Sequence, residues 1–104
     1  MTNEEINIAI AEYRGWQILE PEVHKAITYH WVIEPDGSKS ILPDCCNDLN
    51  AMREVEMTLS NEIYEEYWNQ LIFVCMNEGE ERMNSASAKL RAKAFAIIIG
   101  KWKE

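Results

Sequence analysis

Apolar and polar positions alternate along this chain with two periods, and the change of period marks its elements. Near the start, Ile6, Ile10 and Tyr13 recur at helical spacing. Thr2 and Glu5 stand before them at capping-box spacing, and Gly15 follows as a stop. This predicts a first helix. Trp16 to Leu19 reads as a short strand ended by Pro21. Over Ile27–Ile33 the period becomes two: Ile27, Tyr29, Trp31 and Ile33 alternate with more polar positions. That predicts one half-buried strand with those four residues inward. Glu34-Pro35-Asp36-Gly37 carries turn residues, Lys39 to Leu42 reads as the return strand, and Pro43 closes the β region.

The helical period then returns. A second helix is expected to start between Asp44 and Asp48, with Leu49, Met52, Val55 and Leu59 as its inner stripe. Ser60 is a good cap for a third, whose face is Ile63, Tyr67, Leu71 and Val74, widened by Trp68 and Cys75. The run Leu71–Met76 is apolar enough to be a buried strand, but the pattern from Ile63 continues without a break and favours helix. Residues 77–84 read as a polar loop holding Gly79. A last helix starts at Ser85 or Ser87 and ends at Gly100. Its alanines favour helix and allow close approach of another element. Four helices with a small antiparallel sheet of two to three strands make the expected fold α+β, in a compact sandwich.

Length bounds this to one domain over 1–104. A hydrophobic content of 47% and a charged content of 27% are ordinary for a globular chain and argue against intrinsic disorder. Charge changes the picture more. The chain has 18 acids and 10 bases, a formal net charge of -8. Eight of the acids lie between Glu54 and Glu81, where there is no Lys or Arg, so that segment holds the whole net charge. Arg82, Lys89, Arg91, Lys93, Lys101 and Lys103 follow, against Glu104 alone. An acidic middle therefore precedes a basic end. Nucleic-acid binding by the whole surface is disfavoured for such a chain, while local anion binding at the basic end stays open.

The cysteines, Cys45, Cys46 and Cys75, are odd in number, and two are adjacent. The first residues lack a basic stretch followed by an apolar one, and no apolar run approaches the length of a membrane span. The expectation is a reduced, cytoplasmic protein with free thiols and no membrane partner.

Candidate chemistry is sparse. Zinc would draw on His24, His30, Cys45, Cys46 and Cys75, whose spacings match no structural zinc pattern, so no metal or cofactor is expected. A nucleophilic Cys45 or Cys46 would need a base and an orienting group that the sequence does not show. Glu54, Glu56, Glu62, Glu65 and Glu66 fall on the second and third helices. Nothing apolar encloses them as acid–base catalysis requires, and they read as a solvated acidic face suited to a basic partner. Ser85, Ser87, Lys89, Arg91 and Lys93 set free backbone N–H groups and cations at a helix start, a sensible phosphate or nucleotide site. The four tryptophans read as core or interface residues.

An ordered set of short stretches resembles a known family. Gly15-Trp16, the Trp31 strand, Pro35-Asp36-Gly37 and Asn47-Asp48-Leu49-Asn50-Ala51-Met52 with Glu54 and Glu56 come first. Ser85 to Phe95 and the closing Gly100-Lys101-Trp102 complete it. Together these are similar to the phage ABA sandwich domain family of small phage and prophage proteins. The resemblance implies a compact α/β sandwich and a phage origin, and it implies no established catalytic activity. It directs the expected function to counter-defence, in which a non-enzymatic protein blocks a host immune protein, of the kind that handles nucleic acid, through the acidic face. The alternatives are an oligomeric sponge that sequesters a phosphate-bearing signalling nucleotide through the basic last helix, and a phage accessory or assembly protein. Homo-oligomerisation is open in each.

Overall fold

A computed structural model describes residues 1–79 and 86–102. They form four helices and five short strands. The helices are α1 (Asn3–Tyr13), α2 (Leu49–Glu56), α3 (Asn61–Asn77) and α4 (Ala88–Ile98); the strands are β1 (Gln17–Ile18), β2 (Glu22–His24), β3 (Ile27–Tyr29), β4 (Trp31–Ile33) and β5 (Lys39–Ile41). The fold is α+β, as the periodicities predict. None of the described helices is long and apolar enough to cross a membrane.

Each helix begins where its cap residue stands. The Thr2 hydroxyl accepts from the Glu5 N–H, and the Glu5 carboxylate accepts from the Thr2 N–H, a complete capping box. Asp48 accepts from the N–H groups of Asn50 and Ala51 and starts α2. Ser60 and Ser87 start α3 and α4 in the same way. Asp44 takes hydrogen bonds from the Asn7 and Asn47 side chains, and the Cys46 N–H donates to the Asn7 side-chain amide oxygen, Oδ1. These bonds pin the approach to α2 against α1. The Asn47–Met52 stretch therefore has a structural role, as clamp, cap and first core residue of α2. Leu71–Met76 is helix, within α3.

The three-stranded sheet has the order β1-β4-β5, antiparallel throughout, with Ile18 opposite Val32 and Val32 opposite Ser40. Its connecting turn is the expected one: the Gly37 N–H donates to the Glu34 carbonyl, and Gly37 takes a φ of +92°, a region open to glycine at no steric cost. The expectation of a single strand over Ile27–Ile33 is corrected. It divides at His30 into β3, which pairs with β2 in a separate hairpin, and β4, which enters the sheet. The inward phase is also reversed. Val32 is fully buried, while Ile27 is 55% exposed and Tyr29 is exposed too. The alternation misleads because the hairpin covers no core, so its apolar residues have no inner side to face. Lys25 and Ala26, with φ of +49° and +68°, form the two-residue turn of that hairpin. Neither is a residue that adopts this region without cost, which is about 1–2 kcal/mol each.

Two clusters make the core. The larger joins Ile6 and Ile10 of α1 to Met52, Val55, Tyr67, Leu71, Val74, Phe95 and the three cysteines. The smaller sets Ala11, Val32 and Leu42 beneath Ile8, Trp16 and Ile18. The sheet thus packs on α1, α1 on α4, and α4 on α2 and α3. Ala92, Ala94, Phe95 and Ala96 are fully buried, so the alanines of α4 serve close approach from several sides. Ala94→Leu should therefore cost about 1–3 kcal/mol in urea unfolding by overpacking, while Lys89→Leu, on the exposed side of the same helix, should change stability by about 0.5 kcal/mol or less.

Candidate functional site

The most developed surface feature is the outer face of α3. Its inner face is set by Tyr67, Leu71, Val74 and Cys75, all buried. Residues three and four apart share a helix face, so Glu62, Glu65, Glu66, Asn69, Ile72, Phe73 and Met76 form one continuous outer stripe. From Glu62 to Met76 it runs about 21 Å at the helical rise. Its first half is carboxylate, with Glu62, Glu65 and Glu66 all exposed. Its second half is apolar: Phe73 is 63% exposed, Met76 70% and Ile72 36%. The apolar half escapes a reading of Leu71–Met76 as a buried run. A helical wheel that places Leu71, Val74 and Cys75 inside puts the other three outside, and that is the signal in the sequence.

The acidic residues expected on this face divide. Glu54, Glu62, Glu65 and Glu66 are exposed. Glu56 is only 7% exposed and belongs to the interior. Its carboxylate accepts from the Tyr67 hydroxyl at 2.6 Å and from the Arg91 guanidinium at 2.9 and 3.1 Å. Arg91 Nε also donates to the Ala86 carbonyl at 3.1 Å. Burial, then the bond to Glu56, push the Tyr67 hydroxyl well above the ordinary tyrosine range. Glu56 is thus a structural acid that ties α2 to α3 and α4.

The same bonds change the basic end. Arg91, expected at a phosphate site, is turned inward onto Glu56. Lys93 donates to the Glu78 carboxylate at 3.1 Å and lies 5.1 Å from the centre of the Trp102 ring. The Ser87 hydroxyl accepts from the Leu90 N–H as a cap. Ser85 lies outside the described residues. Of the three cations, only Lys89 is exposed. Among the described residues of the expected anion set, Arg91 and Lys93 are thus held by carboxylates.

A cleft of about 330 Å³ opens between α1, β3 and the segment before α2. Its acids are engaged: Glu4 faces His30 Nε2 at 3.5 Å, and Asp44 holds Asn7 and Asn47. Among the described residues no cluster of His, Cys, Asp or Glu is arranged to hold a metal ion. The three cysteines are buried thiols, none of them joined in a disulfide. Burial pushes the Cys45 and Cys46 thiols up to about 11, the direction opposite to that of an activated nucleophile.

Comparison with protein-family models, curated proteins and solved structures finds no match to the chain.

Removing one partner of a buried ion pair strands the other, so Glu56→Ala and Arg91→Ala should each lower stability by about 3–5 kcal/mol. In chemical denaturation the double variant should lose clearly less than the two single losses combined. The thiols set a pH dependence. Unfolded thiols ionise near 9, while the folded ones stay protonated to about 11. The unfolded state therefore releases protons first as the pH rises, and stability is lost between those values. The urea midpoint should hold from neutral pH to about 9 and then fall, less so in Cys45→Ala/Cys46→Ala.

Proposed function

We propose that this chain is a non-catalytic binding protein whose α3 outer face occupies a basic surface on a host protein, in the role of a phage counter-defence factor. The observation that carries the binding mode is the stripe itself, with three exposed carboxylates continuous with exposed Ile72, Phe73 and Met76. Exposed contiguous apolar side chains rimmed by charge favour a protein contact. Burying Phe73 and Met76 against a partner would contribute about 1.5–3 kcal/mol each. The carboxylates supply attraction and orientation, because a row of negative charge suits a surface built for phosphates. The phage role, and action inside a bacterial host on a protein that handles nucleic acid, rest on the sequence resemblance.

Sequestration of a nucleotide is supported less. It needs converging cations, and Arg91 and Lys93 already face Glu56 and Glu78. An accessory or assembly role uses the same stripe and differs only in the partner.

Exposed charges more than about 8 Å apart are screened at physiological salt, so a contact led by Glu62, Glu65 and Glu66 should weaken as salt rises. The test is capture from a lysate of the natural host by the wild-type chain, by Glu62→Lys/Glu65→Lys/Glu66→Lys and by Phe73→Ser/Met76→Ser. Calorimetry against cyclic and linear nucleotides runs alongside. The expected result is one nucleic-acid-handling protein, held by the wild type, lost by both variants and released by salt. A salt-insensitive partner, or heat from a nucleotide, overturns the reading.

A further inference from the structure

The β2–β3 hairpin is the least explained part of the molecule. Every residue of both strands is exposed, including Val23 at 67% and Ile27 at 55%. A two-stranded hairpin that buries no core of its own is marginal in water, whereas three or more strands supply independent stability. Its attachments to the rest of the chain are few: Tyr29 stacks on Trp31 with ring centres 6.5 Å apart, and Lys39 Nζ lies 3.8 Å from Glu22.

Its backbone also has a free edge. Glu22 pairs with Tyr29, Val23 with Thr28 and His24 with Ile27 around the two-residue turn. In such a hairpin the pair flanking the turn exchanges main-chain bonds, and the next pair points its N–H and C=O groups outward. Val23 and Thr28 are that outward pair. Among the described residues neither makes a further main-chain bond. β2 is bounded by Pro21, which has no N–H to donate, and by the left-handed turn at Lys25. A strand added to this edge is therefore confined to Glu22, Val23 and His24.

We propose that β2 pairs antiparallel with β2 of a second copy of this chain, centred on Val23, to make a four-stranded sheet from two hairpins. Three observations select a second copy as the occupant. The segment is self-complementary: with Val23 opposite Val23, Glu22 of one copy stands opposite His24 of the other, twice by symmetry. The pairing uses the outward donor and acceptor of Val23 in both copies, giving two main-chain bonds across the axis. The hairpin is also formally neutral, with Glu22 balanced by Lys25, in a chain of net charge -8. The acidic face of α3 repels its own copy; the hairpin does not.

The contact is small beside the roughly 1,600 Å² of a standard interface, so the dimer is weak and depends on concentration. Sedimentation velocity over a wide concentration range tests it, with amide hydrogen exchange at the same concentrations. The wild type should shift from monomer to dimer as the Val23 N–H gains protection. Val23→Pro removes only an outward N–H, so the hairpin persists, and association should weaken about thirty-fold for the two lost bonds. Glu22→Lys should weaken it, and Glu22→Lys/His24→Glu should restore it. Thr28→Pro, on the opposite edge, should leave it unchanged. A wild type monomeric at every concentration overturns the proposal. So does a dimer that survives Val23→Pro, or one lost in Phe73→Ser/Met76→Ser, which would place the contact on α3.

Discussion

The buried contact between Glu56 and Arg91 is the constraint on which the arrangement of the helices depends. Taking two charges out of water is costly, and mutual attraction offsets that cost only with good geometry and further hydrogen bonds. Both conditions are met. The guanidinium reaches both carboxylate oxygens, the Tyr67 hydroxyl donates to one of them, and Arg91 Nε is satisfied by the Ala86 carbonyl. Glu56, Tyr67 and Arg91 come from α2, α3 and α4, so one charge pair sets the three helices in a single register. α2 needs this, because a helix of eight residues is too short to persist on its own propensity. The direction of the outer face of α3 follows from the same register, since Tyr67 sits on the opposite side of that helix.

That pair also decides which charges remain outside. Along the chain, an acidic middle and a basic end look like two competing binding regions. In three dimensions the two are partly cancelled against each other. Glu56 consumes Arg91 inside, and Glu78 engages Lys93 at the surface. The surface pair adds little stability, but it holds a cation that a phosphate would otherwise use. Of the five acids expected on the acidic face only Glu56 is buried, and Glu62, Glu65 and Glu66 stay exposed together on α3. Among the described residues, the basic end keeps Lys89, in the first turn of α4, and Lys101, past its last turn, exposed. Long-range pairing, rather than the count of charges, thus decides which of these side chains stay open to solvent.

What was legible in the sequence was local. Caps work within three residues, so Thr2, Asp48, Ser60 and Ser87 announce their helices; one period gives the buried Met52 and Val55 of α2 and Tyr67, Leu71 and Val74 of α3, while Leu59, expected on α2, lies past its end. Glu56 and Arg91 stand 35 positions apart, and no local rule pairs them. A weaker sign exists, because each falls in register with a buried stripe: Glu56 is four residues after Met52, and Arg91 four before Phe95. A charge in such a register needs a buried partner. The β region failed for another reason. Alternation marks a strand with two different sides but does not say which side is inner when a single residue, Val32, carries the burial. The division at His30 and the pairing of β2 depend on a turn built from Lys25 and Ala26, neither of which is turn-forming by composition.

The two surfaces left unexplained by folding are chemically opposed, and under the two proposals above they take different partners. The α3 stripe lies beyond α4 from the sheet, carries concentrated negative charge and cannot meet its own copy without repulsion. The hairpin belongs to the sheet side, is neutral and matches itself across a two-fold axis. Pairing through the hairpin would leave both α3 stripes uncovered, so such a dimer would present two acidic faces in one particle. Two modest contacts linked in this way bind a repeated or symmetric target far more tightly than either does alone. A chain of 104 residues has little area to spend on any one interface. Separating self-association from target recognition, with charge as the discriminator, lets it use two small ones together.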